Sequence, residues 1–178
     1  MFTFSTAFDY FQKLIDFVYD PRYAMHLRKI AAQYDRDNIP DSIDIQPFII
    51  DNLIFDVYID RKTLLDHFIA QAQLVLKSSH LKMYQEFRQN VLSCFQITEV
   101  AKPGKMVFKN LIDETTYSVI DEEAIKFLQP ERYTVARLLP FQDHYVLTGA
   151  CAIINTDDPN VVIAITRKLK TPPLFFNS

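Results

Sequence analysis

The sequence predicts an α+β protein: a helical N-terminal part, then a small antiparallel β roll or barrel, then a C-terminal helix. Three observations predict this fold. Apolar residues recur at helical spacing before residue 91, short apolar–polar alternations separated by turn residues fill 95–149, and helical spacing returns at 159–169. We therefore divide the chain into a helical part, 1–90, and a β roll with its terminal helix, 91–178, and expect the two to pack as one unit.

An amphipathic helix is predicted over residues 4–18, where five apolar residues share one face. They are Phe4, Phe8, Phe11, Ile15 and Val18. Ser5 or Thr6 could cap this helix. A second helix is predicted from Asp20-Pro21, a capping residue followed by proline, to about Tyr34. Its inward residues are expected to be Tyr23, Leu27, Ile30 and Tyr34.

The rest of the helical part contains one ambiguous segment and two capped helices. Residues 48–58 are apolar enough for a buried strand, but Pro47 at the start and Asn52 in the middle favour a helix. Thr63-Leu-Leu-Asp66 matches a capping box and predicts a helix to about Lys77. Ser79 is expected to cap a shorter helix after it.

The β part is predicted from runs of alternating residues between turns. The Lys102-Pro-Gly-Lys105 segment predicts a turn, because proline and glycine suit turn dihedrals. Asp158-Pro159 predicts the start of the last helix. The predicted strands are 91–100, 106–112, 117–120, 132–139 and 145–148, with 149–154 as a further strand or an extended exit.

Composition excludes several chemistries. Only two glycines occur, so a glycine-rich phosphate loop is absent. Two distant cysteines and four histidines without zinc-ligand spacing predict neither a metal site nor a disulfide framework. We find no nucleophile–base set, and the sequence predicts no cofactor.

The sequence also predicts the location of the protein. The N-terminus lacks the features of a signal peptide, and no apolar run is long enough to cross a bilayer. We expect a cytoplasmic protein with free thiols and no membrane partner. The net charge of −3, with mixed acids and bases, also argues against nonspecific nucleic-acid binding as the leading function.

Arg137 is the most informative single residue. It alternates with Val135 and Leu139, so it projects on their face of a strand. A buried arginine on the inner side of a small β unit needs a partner, because an unpaired buried charge costs several kcal/mol. Asp113, at the end of another strand, is the predicted partner. A ligand-binding role for Arg137 stays open as the alternative.

A second cluster surrounds one predicted hairpin. Lys102, Lys105 and Lys109 flank Phe108. Lysine contacts to phosphates, with a base stacked on an aromatic ring, are typical of single-strand nucleic-acid binders. Lysines that protect an edge strand from aggregation explain the same pattern. Single-stranded nucleic-acid binding through this β face is therefore one alternative function.

Three aspartates suggest a further alternative. Asp56 and Asp60 would share a face if both lay on a helix, and Asp51 is near in the sequence. Paired carboxylates can act as general acid and base. A small-molecule enzyme with this carboxylate site is the second alternative, and it requires the side chains to converge in an apolar pocket. Solvated or capping carboxylates are the simpler interpretation.

Three segments carry a shared pattern. They are Phe55-Asp56 with the helix after Thr63, the strands from Phe95 to Val119, and Ala136-Arg-Leu-Leu-Pro140 with Leu147-Thr-Gly149. Together they resemble a family of uncharacterised bacterial proteins with a helical part and a small β unit. Some members carry a C-terminal SEC-C zinc motif, which this chain lacks. The family's tryptophan is missing here, and its Gly-Asp is Pro130-Glu131. The resemblance implies the fold, no metal and no activity.

The leading functional prediction is a non-catalytic interaction module that binds a protein or peptide. Its ligand could bind at the end of the roll or add a strand to an edge. The Phe-rich helices could equally form the face of a homodimer.

Overall fold

The computed structural model describes residues 6–34, 39–101 and 104–170, and the backbone of 174–176. An N-terminal helical part, a closed five-stranded β barrel and a C-terminal helix make up the fold, as predicted. The helices are α1 Ala7–Val18, α2 Ala24–Ala31, α3 Gln46–Phe55, α4 Leu64–Ala72, α5 Ser78–Glu86 and α6 Pro159–Leu169. The strands are β1 Val57–Ile59, β2 Lys62–Thr63, β3 Val91–Ala101, β4 Lys105–Asn110, β5 Thr116–Ile120, β6 Tyr133–Phe141, β7 His144–Ile154 and β8 Leu174–Phe176.

Local capping chemistry explains where several helices begin. Thr6 and Asp9 form a capping box at the start of α1, and Thr63 and Asp66 form the predicted one at α4. Asp158 caps α6, with Pro159 in its first turn. The prediction for Ser79 is wrong, because α5 begins at Ser78 after Lys77, without a side-chain cap.

The barrel has the strand order β3-β4-β5-β7-β6, closed by the pairing of β6 with β3. Its pairs are antiparallel except β5 with β7, which run parallel and are joined by one register pair, Val119 with Tyr145. The long β3 pairs with β6 over Val91–Gln96 and with β4 over Phe95–Ala101, and the pairing with β4 has an irregularity between Ile97 and Glu99.

Two hydrophobic clusters follow from the alternation of side chains in the barrel strands. Phe95, Phe108, Ala136 and Leu138 belong to the cluster inside the barrel. Val135 and Leu139 of β6, and Val146, Ala150 and Ala152 of β7, belong to the cluster that the helices cover. Strand β6 is therefore buried on both faces.

The sequence did not predict the small sheet β2-β1-β8. Strand β1, Val57–Ile59, includes residues 57 and 58, which were expected to end a helix, and it pairs antiparallel with β2 and parallel with β8. Residues 145–148 and 149–154 join in one strand, β7. Within the described residues, no helix has the length and apolar character needed to cross a bilayer.

The apolar face predicted for α1 is only partly covered. The buried residues of this helix are Tyr10, Leu14 and Val18. Phe11 and Ile15 are half-buried, and Phe8 is 67% exposed. Phe4 lies outside the described residues. Phe8, Phe11 and Ile15 form an apolar stripe of α1 that the core covers only in part.

Candidate functional site

Arg137 lies at the junction between the barrel and the helical part. Because Ala136 and Leu138 point into the barrel, Arg137 points outward with Val135 and Leu139 against the helices. Its side chain is 1% exposed. The prediction that Arg137 is buried and paired is confirmed, but the side of the strand is the outer one.

Every N–H group of the Arg137 guanidinium donates a hydrogen bond. Nε donates to Asp51 Oδ2, Nη1 to Asn90 Oδ1 and to Asp56 Oδ1 (3.4 Å), and Nη2 to Asn52 Oδ1 (3.2 Å) and to Asp56 Oδ2. Guanidinium has five N–H donors, so this group has no donor left for a ligand. The geometry supports the structural role over the ligand-binding one.

The ionisable groups of this cluster lie in different electrostatic environments. Burial raises the pKa of Asp51 above its ordinary value, and the attraction of Arg137 only partly opposes it. Asp56 is the C-cap of α3, where the helix dipole disfavours an anion, so the nearby guanidinium also offsets that cost. Burial lowers the pKa of Arg137, but Asp51 and Asp56 together raise it above the ordinary value.

Asn52 extends the cluster to the terminal helix. Its Nδ2 donates to the carbonyl oxygen of Leu169 (3.0 Å) and to the hydroxyl of Tyr34, which itself donates to Leu169 O (3.2 Å). The last carbonyls of a helix have no partner within the helix, so this contact satisfies one of them. One connected network thus joins β6, α3 and the end of α6.

The predicted ion pair between Arg137 and Asp113 is wrong. Asp113 is exposed in the turn after β4, and its Oδ1 accepts a hydrogen bond from Thr115 N (3.0 Å). Arg137 leaves the barrel on the side of the helices, so carboxylates of α3 and its C-cap pair with it instead. Asp51 is 86 positions away in the chain, which local sequence patterns do not reach.

The residues proposed for nucleic-acid binding do not form one surface. Phe108 is fully buried inside the barrel, where its ring centroid lies 5.7 Å from that of Phe95. Lys105 is exposed, Lys109 pairs with Glu114 (3.2 Å), and Lys102 lies outside the described residues. Five-stranded barrels of the OB type bind oligonucleotides on a strand face, but Phe108 cannot stack on a base from this position.

The three aspartates of the carboxylate alternative separate into two groups. Asp51 and Asp56 converge on Arg137, but Asp60 is exposed in the turn between β1 and β2, with a φ of 49°. The predicted shared helix face of Asp56 and Asp60 is therefore wrong, because α3 ends at Phe55. A cavity of about 300 Å³ opens beside Asp56 and Arg137. Asp56 and Arg137 already form an ion pair with each other beside this cavity.

A larger groove lies between α1 and the barrel. Its volume is about 870 Å³, and most of its lining is apolar. The apolar stripe of α1 forms one wall, and the outer face of β6 and β7 forms the opposite wall. The apolar lining side chains include Phe8, Phe11 and Ile15 of α1, Ile50 of α3, Leu139 and Phe141 of β6, and Val146 and Ala150 of β7.

The charged groups that line this groove are of one sign. They are the carboxylates of Asp44, Asp121, Glu122 and Glu123. Among the described lining residues there is no lysine or arginine, and His144 is the only other titratable side chain. Glu123 pairs with Lys126 (2.6 Å), which does not line the groove, so Asp44, Asp121 and Glu122 carry its negative charge. The sequence contained one signal of this site, the apolar stripe of α1. Its helical spacing indicated a face that packs into the core, so the groove was not predicted.

The family comparison covers most of the chain. Residues 11–171 match the model of a family of unknown function, DUF7986. The chain belongs to the DUF7986 family. This agrees with the predicted membership of an uncharacterised family. No curated protein and no solved structure matches this DUF7986 protein significantly.

Two further features of this DUF7986 member concern its chemistry. Within the described ranges, no group of three or more histidine, cysteine, aspartate or glutamate side chains could hold a metal ion. Cys94 and Cys151 are both free thiols, and burial raises the pKa of Cys151 to about 11. A thiol with a raised pKa is a poor nucleophile at neutral pH.

Proposed function

We propose that this protein is an interaction module that binds an apolar, positively charged segment of a partner protein in the groove between α1 and the barrel. The observation that carries the proposal is the groove itself, which is about 870 Å³ in volume, largely apolar, and lined only by negative charges among the described ionised groups. Grooves that combine apolar walls with a few placed polar groups are typical binding sites.

Apolar contact would supply most of the binding free energy. Phe8 exposes 67% of its surface at the edge of the groove, beside the half-buried Phe11. Covering one large apolar side chain contributes about 1.5–3 kcal/mol. Aromatic anchors of this kind dominate the energetics of protein interfaces.

The negative charge of the groove favours a positively charged partner. The carboxylates of Asp44, Asp121 and Glu122 would attract lysine or arginine in the ligand. The same charges would repel the phosphates of a nucleic acid. A basic segment of a protein therefore fits the groove better than an oligonucleotide does.

The test is a selection of peptides from a phage-displayed library of random sequences against the full chain. We expect the selected peptides to be rich in apolar and basic residues. Binding of the synthetic peptide, followed by fluorescence anisotropy, should weaken at least about tenfold in Phe8→Ser. Phe127→Ser is the matched control, because Phe127 is another exposed phenylalanine (54%) that does not line the groove.

Two results would overturn the proposal. One is a selection that enriches no peptide, or only peptides that bind Phe8→Ser as well as the wild type. The other is a wild-type protein that sediments as a dimer and becomes a monomer in Phe8→Ser. A second copy of the chain would then occupy the groove.

We also infer a cytoplasmic location from the two free thiols, since free cysteines are usual in a reducing compartment. Cell fractionation tests this inference. The bacterial origin and the association of the family with SEC-C motifs stay predictions from the resemblance of the sequence.

A further inference from the structure

We infer that the partner segment binds as an extended strand that pairs with β7 at Val146–Thr148. This inference rests on the proposed function and specifies the conformation of its ligand. It depends on the sparse pairing between β5 and β7, beside which the groove lies.

The barrel is closed only weakly at the seam between β5 and β7. A single register pair, Val119 with Tyr145, joins β5 to β7. Strand β5 ends at Ile120, and the chain turns into a short 3₁₀ helix at Ala124–Lys126, while β7 continues to Ile154. Beyond Tyr145, in the part of the chain that the structure describes, no register pair joins β7 to β5.

The lining of the groove shows how β7 faces it. The five consecutive residues from Val146 to Ala150 all line the groove. Successive side chains of a strand point to opposite faces, so a pocket over one face of a sheet contacts alternate residues. Thr148, Gly149 and Ala150 lie in an irregularity of the strand, where this rule does not hold. Leu147 packs with the cluster inside the barrel and still lines the groove, so the groove extends from the outer face of β7 to its edge at Val146–Thr148.

A bulge limits the length of this edge. Leu138 of β6 pairs with Leu147, but Ala136 pairs with Cys151, so three residues of β7 lie opposite Arg137. Gly149 lies in this bulge with a φ of 91°. Because a bulge terminates regular pairing, the added strand should pair with Val146, Leu147 and Thr148 and no further.

An added strand would present apolar and charged side chains of the ligand in different directions. Alternate residues of the added strand would point to the apolar floor, and the intervening residues would point outward. The carboxylates of Asp121 and Glu122 follow β5 directly on the opposite side of the seam. The expected ligand therefore alternates apolar with basic residues.

The test uses the synthetic peptide obtained from the library selection, with one backbone amide N-methylated at a time. A strand donates alternate amides to its neighbour, so we expect losses of about tenfold or more at every second position. Amide hydrogen exchange of the full chain should slow within Val146–Thr148 when the peptide is bound. Amides of the exposed turn at Asp113–Thr115 serve as the control.

The outcomes separate this inference from the proposed function. Binding that depends on Phe8 but tolerates N-methylation, or loses affinity at consecutive interior positions as a helix would, overturns strand addition and leaves the groove as the site. Unchanged exchange at Val146–Thr148 overturns it in the same way. A selection that yields no Phe8-dependent peptide overturns both proposals.

Discussion

Nε of Arg137 in β6 donates to the carboxylate of Asp51 in α3, a residue 86 positions earlier in the chain. Both side chains are 1% exposed, so this ion pair lies between the barrel and the helices rather than on a surface. Asp56, Asn52 and Asn90 accept the remaining donors of the guanidinium. The contact between the two halves of the chain is therefore polar at its centre and apolar around it.

Loss of Arg137 should destabilise the protein strongly. In Arg137→Met, Asp51 and Asn52 lose their charged donor while they stay buried, and we expect the free energy of unfolding to fall by about 3–5 kcal/mol. Denaturant unfolding measures this change. Arg132→Met is the control, because Arg132 is exposed with one hydrogen bond to Asn155 (3.2 Å), and its effect should stay within about 0.5 kcal/mol. Equal effects of the two changes would contradict the structural role of Arg137.

Asp51 should make the protein less stable as pH rises. Burial raises its pKa in the folded state above the value in the unfolded chain. The folded state therefore binds more protons between these two values, so the contribution of Asp51 falls as pH increases through that window. We expect the unfolding free energy of Asp51→Asn, relative to wild type, to rise as pH increases above about 4. A difference that is independent of pH would contradict the raised pKa.

The capping box of α4 should contribute about 1 kcal/mol to stability. Thr63 Oγ1 accepts a hydrogen bond from Asp66 N (3.2 Å), and Asp66 also pairs with Arg88 (2.7 Å). Thr63→Ala leaves an amide of the first turn without a partner, and a lost cap typically costs about 1 kcal/mol. The exposed Ser118→Ala is the control, with no expected change. Thermal unfolding of both variants checks this prediction. Equal stabilities of Thr63→Ala and Ser118→Ala would contradict it.

Phe8 should matter for binding without mattering for stability. Because its side chain is largely exposed, Phe8→Ser should change the unfolding free energy by no more than about 0.5 kcal/mol. Denaturant unfolding checks this beside the peptide-binding assay. A large loss of stability would show that Phe8 belongs to the core, and the binding result would then need another groove variant.

Single-stranded nucleic acid should not bind. Phe108 is inside the barrel, Lys109 is paired with Glu114, and the chain carries a net charge of −3. Titration of a fluorescent oligothymidine at low salt should give no saturable signal. Saturable binding whose affinity falls steeply with salt would contradict this expectation. It would support phosphate contacts by Lys102, Lys105 and Lys109.

Much of the fold was predictable because its signals are local. The caps at Asp20, Thr63 and Asp158 and the change of periodicity near Val91 act within a few residues. The strands β1, β2 and β8 were not predicted, since the longest of them has three residues. A strand this short has too few residues for alternation to be recognised.

The sequence by itself determined that the main helices precede Val91, that the long strands follow it and that a last helix comes after them. It also determined that Arg137 shares a face with Val135 and Leu139, and that the sequence holds no glycine-loop or zinc-ligand motif. Only the tertiary structure decided which side of β6 that face is on, and which carboxylates pair with Arg137. Residues Thr134–Leu139 are all buried, so alternation alone could not distinguish the inside of the barrel from the helical side. Packing likewise decided that Tyr10, Leu14 and Val18 fill the core and that Phe8 is left at the groove, because an apolar stripe does not specify what covers it.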